Sequence, residues 1–145
     1  MAENVALVVD DTPANLDFME RLLTHAKLTV RGAASGADAL EKVADVDNLA
    51  LAVVDMQLPD MSGLRLITEL RSKFPNACLV FATMYDDVSL MEKAFTNGCD
   101  IFLVKPHGFM ELFKRLTTTG MDEIRKGTHL VIDQYGPHPF RVAVV

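Results

Sequence analysis

The chain has no surplus of positive charge: 14 Lys and Arg stand against 20 Asp and Glu, giving a net charge of −6 and a pI of about 5.1. That balance argues against a direct nucleic-acid binder, which needs Lys and Arg gathered on one face to meet phosphates. No apolar run approaches the ~20 residues needed to span a bilayer, so no membrane association is expected. The opening MAENVALVVDD has neither a basic lead-in nor a small-residue cleavage site. It does not read as a signal peptide, and a cytoplasmic location is the expectation. Only two cysteines occur, Cys78 and Cys99, with no CxxC spacing, and they read as small buried hydrophobes. Internal repeats and low-complexity stretches are also missing. What remains is 145 residues, 50% hydrophobic and 23% charged, enough for one compact domain with a core.

Three short apolar runs end on charge. VALVV is followed by Asp10 and Asp11, LALAVV by Asp55, and IFLV by Lys105. Continuous β-branched runs of this kind suit strands covered on both faces, as in parallel sheets. In open parallel α/β sheets the ligand crevice lies beyond the carboxyl ends of the strands, so the three carboxylates and the ammonium are expected at one mouth.

Strand and helix patterns alternate with short joins, the sign of βαβ units. The first strand spans about Val5 to Val9. Pro13 then opens a helix with Leu16, Met19, Leu22, Leu23 and Ala26 at helical spacing. A strand near Leu28 to Ala33 precedes Ser35, an N-cap candidate for a helix carrying Ala37, Leu40, Val43 and Ala44. The third strand is Leu49 to Val54. Ser62 can cap a helix through Leu64, Ile67, Leu70 and Phe74, which Pro75 stops. A fourth strand covers about Ala77 to Thr83, and the next helix starts near Asp86 and Asp87 and ends at Gly98. Ile101 to Val104 is the fifth strand. The last helix carries Met110, Leu112, Phe113 and Leu116, and Gly120 opposes its continuation toward Lys126. Residues 1–120 thus form the main unit. The extension 121–145 holds two strand-like runs, HLVID and FRVAVV, on either side of the turn-rich QYGPHP. A hairpin there needs a partner surface: its own domain, a second copy of the chain, or a further output domain.

Two unit charges about 4 Å apart repel by roughly 4 kcal/mol at an effective dielectric near 20, so three clustered carboxylates do not all stay ionised unaided. Proton sharing is one remedy and a hard divalent cation with oxygen ligands, Mg²⁺, another. A carboxylate can also be a nucleophile toward phosphorus. Asp55, alone at the end of the central strand, is the candidate nucleophile, while Asp10 and Asp11 look like a metal-holding pair. Lys105 and the hydroxyl of Thr83 are suited to binding phosphoryl oxygens.

The successive segments VVDD, VVDMQLPDMSG, VFATM and FLVKP resemble, in order and separation, the motifs of the response-regulator receiver domain of two-component signalling, from Val5 to about Thr118. The resemblance implies a flavodoxin-like three-layer sandwich, with five parallel strands in the order 2-1-3-4-5 and helices on both faces. It makes Asp55 the phosphoacceptor, with Asp10, Asp11, Asp55 and the backbone carbonyl of Gln57 holding Mg²⁺ or Mn²⁺. Thr83 becomes the switch hydroxyl, Lys105 the phosphate-binding ammonium, and Phe102 the switch aromatic, with Pro106 following through a cis peptide bond. The implied partner is a sensor histidine kinase or histidine phosphotransfer protein. The face formed by the fourth helix, fifth strand and fifth helix becomes a candidate output or homodimer surface, with the tail a second dimer candidate. On this reading the chain is a switch and not a turnover enzyme.

Some positions depart from the common pattern. Phe102 lacks the hydroxyl of the frequent Tyr, Met84 and Tyr85 follow Thr83 where smaller residues are frequent, and His107 replaces a common Phe. Bulk at Gln57 and Met84 predicts restricted access of water and a longer-lived phosphoryl group. Bland readings stand beside these. Adjacent acids usually mark a solvated loop, Thr83 alone is a β-branched strand end, and Phe102 alone is core. His25, His107, His129 and His138 are scattered and read as surface residues. An aspartyl-nucleophile phosphatase is the rival enzyme class, but it wants an acid where Gln57 stands. A binding module with a vestigial site is the third alternative.

Overall fold

In the computed structural model the described residues are 4–105, 107–118, 130–133 and 136–140. Strands β1 (Val5–Val9), β3 (Leu49–Asp55) and β4 (Cys78–Thr83) are buried along their whole length except at Asp55, which is half-buried. Such burial requires helices on both faces. Along each strand alternate side chains enter opposite layers, as the two-residue period demands. Leu7, Val9, Val54, Phe81 and Phe102 pack with helices α2 (Gly36–Lys42), α3 (Gly63–Lys73) and α4 (Val88–Thr96). Val8, Leu51, Val53, Val80 and Leu103 pack with α1 (Pro13–His25) and α5 (His107–Thr118). Each fully buried Leu, Ile or Phe contributes about 1.5–3 kcal/mol on the transfer scale, so these two layers dominate the stability.

The remaining strands are β2 (Thr29–Ala33), β5 (Ile101–Val104), β6 (Leu130–Asp133) and β7 (Gly136–Pro139). The sheet order is β2-β1-β3-β4-β5-β6-β7, so the expected 2-1-3-4-5 parallel core is present and two further strands extend it. β6 runs parallel to β5, and β7 returns antiparallel.

The second strand of the tail differs from expectation: it lies in GPHP, read from sequence as part of a turn, while 141–145 of the FRVAVV run lie outside the described residues. The reason is local. Pro137 and Pro139 disfavour the helical region at Gly136 and His138 before them and fix their own φ near −65°, which holds the segment extended. The continuation of α5 beyond Thr118 and the Lys105–Pro106 peptide bond also lie outside the described residues.

Helix starts follow the local chemistry. Ser35 Oγ accepts the Asp38 N–H, Ser62 Oγ the Arg65 N–H, and the Asp87 carboxylate the Ser89 N–H. α1 differs: Thr12 is its N-cap without a side-chain cap bond, and Pro13 fills the first turn. In α2 the buried positions are Gly36, Ala39 and, just past its end, Val43, whereas Ala37 and Ala44 are exposed. Gly98, at φ +112°, takes the left-handed turn after α4. Among the described residues no helix is long and apolar enough to cross a membrane.

Candidate functional site

The carboxyl ends of β1, β3, β4 and β5 meet at one edge of the sheet. Asp10 follows β1 and is buried, its Oδ1 accepting the Thr12 N–H at 2.9 Å. Asp11 is exposed beside it, and Asp55 ends β3. These three residues each offer a carboxylate oxygen, and the oxygens all lie within 4.8 Å of one another. Lys105, after β5, places Nζ 2.5 Å from Asp55 Oδ1 and 3.3 Å from Asp10 Oδ2. Its backbone N–H donates to the Thr83 carbonyl at 2.8 Å, which ties the two strand ends together. Its ammonium also stands 6.0 Å from the centre of the Phe109 ring.

Thr83 ends β4 and is buried. Its Oγ1 accepts the Tyr85 N–H at 3.2 Å and lies 3.5 Å from Met56 Sδ. Gln57 is exposed and forms an isolated antiparallel bridge with Ser62, closing the loop after β3. The Gly63 N–H donates to the Met56 carbonyl at 2.8 Å, and a Cβ on Gly63 would meet the Asp55 carbonyl oxygen at 2.2 Å. Only glycine permits that approach. Phe102 stands apart from this mouth. It is fully buried in the middle of β5, its ring centroid 5.8 Å from that of Phe81.

A cleft of about 250 Å³ lies over these groups, lined by Asp11, Asn15, Asp55, Gln57, Thr83 and Lys105, with Met84 and Tyr85 at its wall. A larger hollow of about 490 Å³ runs along Asp17, Glu20, Arg21, Thr24 and His25. Those residues belong to one helix surface, and among the described residues no convergent chemistry meets there. The cleft at the strand ends is the candidate site.

Burial pushes the Asp55 carboxyl above its ordinary range, and the charges of Asp10 and Asp11 push the same way, while the hydrogen bond and charge of Lys105 pull it down. The net direction is upward because burial outweighs the pull of Lys105.

Residues matched to the receiver-domain motifs thus converge, apart from Phe102 in the sheet interior and Pro106, which lies outside the described residues. Asn15 was not singled out from sequence, although it stands four residues after Asp11, one helical turn along. Asp60 was also missed. Its two oxygens accept the N–H groups of Gly36 and Ala37, both at 2.8 Å, which pins the loop after Asp55 to the start of α2 and holds the Asp60 carboxyl below the usual range. Partners more than twenty residues away leave no local signal.

The model of the response regulator receiver domain family matches residues 6–117. The chain belongs to that family. Response regulator MprA of Mycobacterium ulcerans is 34% identical over 110 residues, which cover 76% of this chain and 47% of that protein. A CheY-like receiver domain protein from Methanospirillum hungatei has a similar structure, with a TM-score of 0.74 at 26% identity over 86% of this chain and 98% of that one. A response regulator from Burkholderia pseudomallei, described with a phosphorylated aspartic acid, calcium ion and citrate, gives a TM-score of 0.70 at 27% identity over 86% of this chain and 72% of that one. The chain spans between about a quarter and about half the length of the first curated relatives it matches. Membership makes this a signalling domain of two-component response regulators.

Proposed function

We propose that this receiver domain is switched by transfer of a phosphoryl group to Asp55 from a histidine kinase or histidine phosphotransfer protein. The observation that carries the proposal is the contact of Lys105 with both Asp55 and Asp10 inside a cluster whose carboxylate oxygens lie within 4.8 Å. The phosphorylated aspartic acid and calcium ion in the related Burkholderia pseudomallei protein support the same reading.

Oxygen-only donors, excess negative charge and an open, solvent-facing Asp11 fit a hard divalent cation. Asp10, Asp11, Asp55 and the Gln57 carbonyl would hold Mg²⁺ or Mn²⁺. When bound, the cation offsets the charge on the carboxylates and the incoming phosphoryl group. An Asp55 carboxylate oxygen forms the new O–P bond as the donor's N–P bond breaks. Lys105 then turns from the carboxylate to the phosphoryl oxygens, and the Thr83 hydroxyl donates to another. The modification adds roughly −1.5 to −2 charges and so favours any arrangement that brings Thr83 and Lys105 closer. Met84 stands at the wall of the site, and Phe102 transmits the shift through the sheet.

We assign residues 1–120 to the receiver unit and 121–145 to an extension, in a cytoplasmic protein that leaves nucleic acid to other partners. The output or dimer face is the one formed by α4, β5 and α5, where the extension's hairpin also docks. The decisive experiment is intact-mass analysis after incubation with Mg²⁺ and acetyl phosphate. The parent chain gains one phosphoryl group and Asp55→Asn gains none. A parent chain that stays unmodified contradicts the proposal.

A further inference from the structure

The receiver-domain reading leaves β6 and β7 without a role, yet they meet the switch aromatic directly. Phe102 pairs across the sheet with Phe81 on one side and Val131 on the other, and all three are fully or almost fully buried. Two places along β4, on the same face as Phe81, is Thr83, itself paired with Val104. The buried layer beneath α4 therefore runs from the phosphoryl-binding hydroxyl through Phe81 and Phe102 to Val131.

Among the described residues the hairpin is fastened to both layers of the core, Val131 beneath α4 and Ile132 on the opposite face. Phe140, just past β7, packs on Phe95 of α4 with ring centroids 5.0 Å apart. Ile132 enters the opposite layer with Leu103, Phe109 and Leu112. The start of α5 lies so close that a Cβ on Gly108 would come within 2.9 Å of the Ile132 carbonyl oxygen. Within the hairpin, His138 Nε2 lies 2.8 Å from Asp133 Oδ2. A two-stranded hairpin is marginal by itself, so its docking depends on the surface that β5, α4 and α5 present. Pro137 and Pro139 remove two N–H donors from the outer strand, so the hairpin closes the sheet and offers a poor template for a further strand.

We propose that the β6–β7 hairpin is a releasable cover on the β5 edge, and that phosphorylation of Asp55 loosens it through Phe102 and Val131. This inference rests on the phosphoacceptor reading above. A phosphoryl group draws Thr83 toward the cleft, and Phe102 follows into the space behind it. Val131 then loses its packing partner, leaving a void under β6. Release uncovers the edge of β5 and the flanks of α4 and α5. By reciprocity, a docked hairpin opposes phosphorylation by the same factor.

The test is amide hydrogen exchange at residues 130–133 of the full chain before and after Mg²⁺ and acetyl phosphate, with the phosphorylated fraction read by mass in the same sample. Exchange is expected to quicken by about 5-fold or more, the lower end of ordinary coupling. It should stay unaltered in Asp55→Asn. The milder Phe140→Ala, which leaves the sheet core intact, is expected to raise the yield of phosphorylated Asp55 at a fixed limiting time. Exchange that is unchanged or slower in a chain whose Asp55 is phosphorylated overturns this inference alone. A chain that takes no phosphoryl group at all overturns the phosphoacceptor reading and this inference with it.

Discussion

Lys105 Nζ stands 2.5 Å from Asp55 Oδ1, although the two residues end strands with a third strand between them. The ammonium is the charge that allows the carboxylate cluster to exist. Lys105→Met leaves Asp55 and Asp10 without it, and a charged group so stranded costs about 1–3 kcal/mol or more. We predict lower stability in denaturant melts without metal, partly recovered when Mg²⁺ is added. Equal stability of parent and variant in chelator would count against this account of Lys105.

Asp55 supplies a pH dependence with a definite sign. Its carboxyl holds a proton to higher pH in the folded chain than in the unfolded one, because of burial first and the neighbouring acids second. Folded protein therefore binds more protons than unfolded protein above about pH 4, and the contribution of Asp55 to stability falls as pH rises through its raised value. Asp55→Asn, which carries no charge, is expected to melt above the parent at neutral pH without metal. The gap should close in acid. A variant less stable than the parent across the whole range contradicts the upward direction.

Gly63 is a steric requirement of the site. Because a Cβ there would sit 2.2 Å from the Asp55 carbonyl oxygen, a backbone atom that cannot swing aside, Gly63→Ala must shift α3 or the end of β3. The expected loss is about 1–3 kcal/mol in stability, together with weaker Mg²⁺ binding by titration. Unchanged metal affinity would mean that the loop carries the strain without moving Asp55.

Gln57 and Met84 line the cleft and both are exposed, with Met84 72% open to solvent. Trimming either to Ala is expected to shorten the lifetime of phosphorylated Asp55, followed as decay of the modified mass after the phosphodonor is removed. Lifetimes equal to the parent's would show that neither side chain screens the phosphoryl group.

Much of this architecture was readable residue by residue, because the signals were local. Ser35, Ser62 and Asp87 cap the helices that follow them, Gly98 takes the left-handed turn, and Pro75 follows the end of α3. The charged residues at the strand ends converge because a parallel sheet brings all its carboxyl ends to one side. What escaped depends on distant pairing. Arg71 donates to the carbonyls of Pro75, Ala77 and Gly98 and pairs with Asp100, joining α3 to the start of β5, and neither end announces the other. The β7 strand escaped because GPHP carries turn residues, and only its pairing with β6 distinguishes an extended Pro segment from a bend.

The most direct test of the central claim locates the acyl phosphate itself. Borohydride reduction after exposure to acetyl phosphate converts a phosphorylated aspartate to homoserine, which peptide mass spectrometry can assign to a position. The account predicts homoserine at residue 55, formed with Mg²⁺ and absent in chelator. Modification at another residue, or at residue 55 regardless of metal, would contradict it.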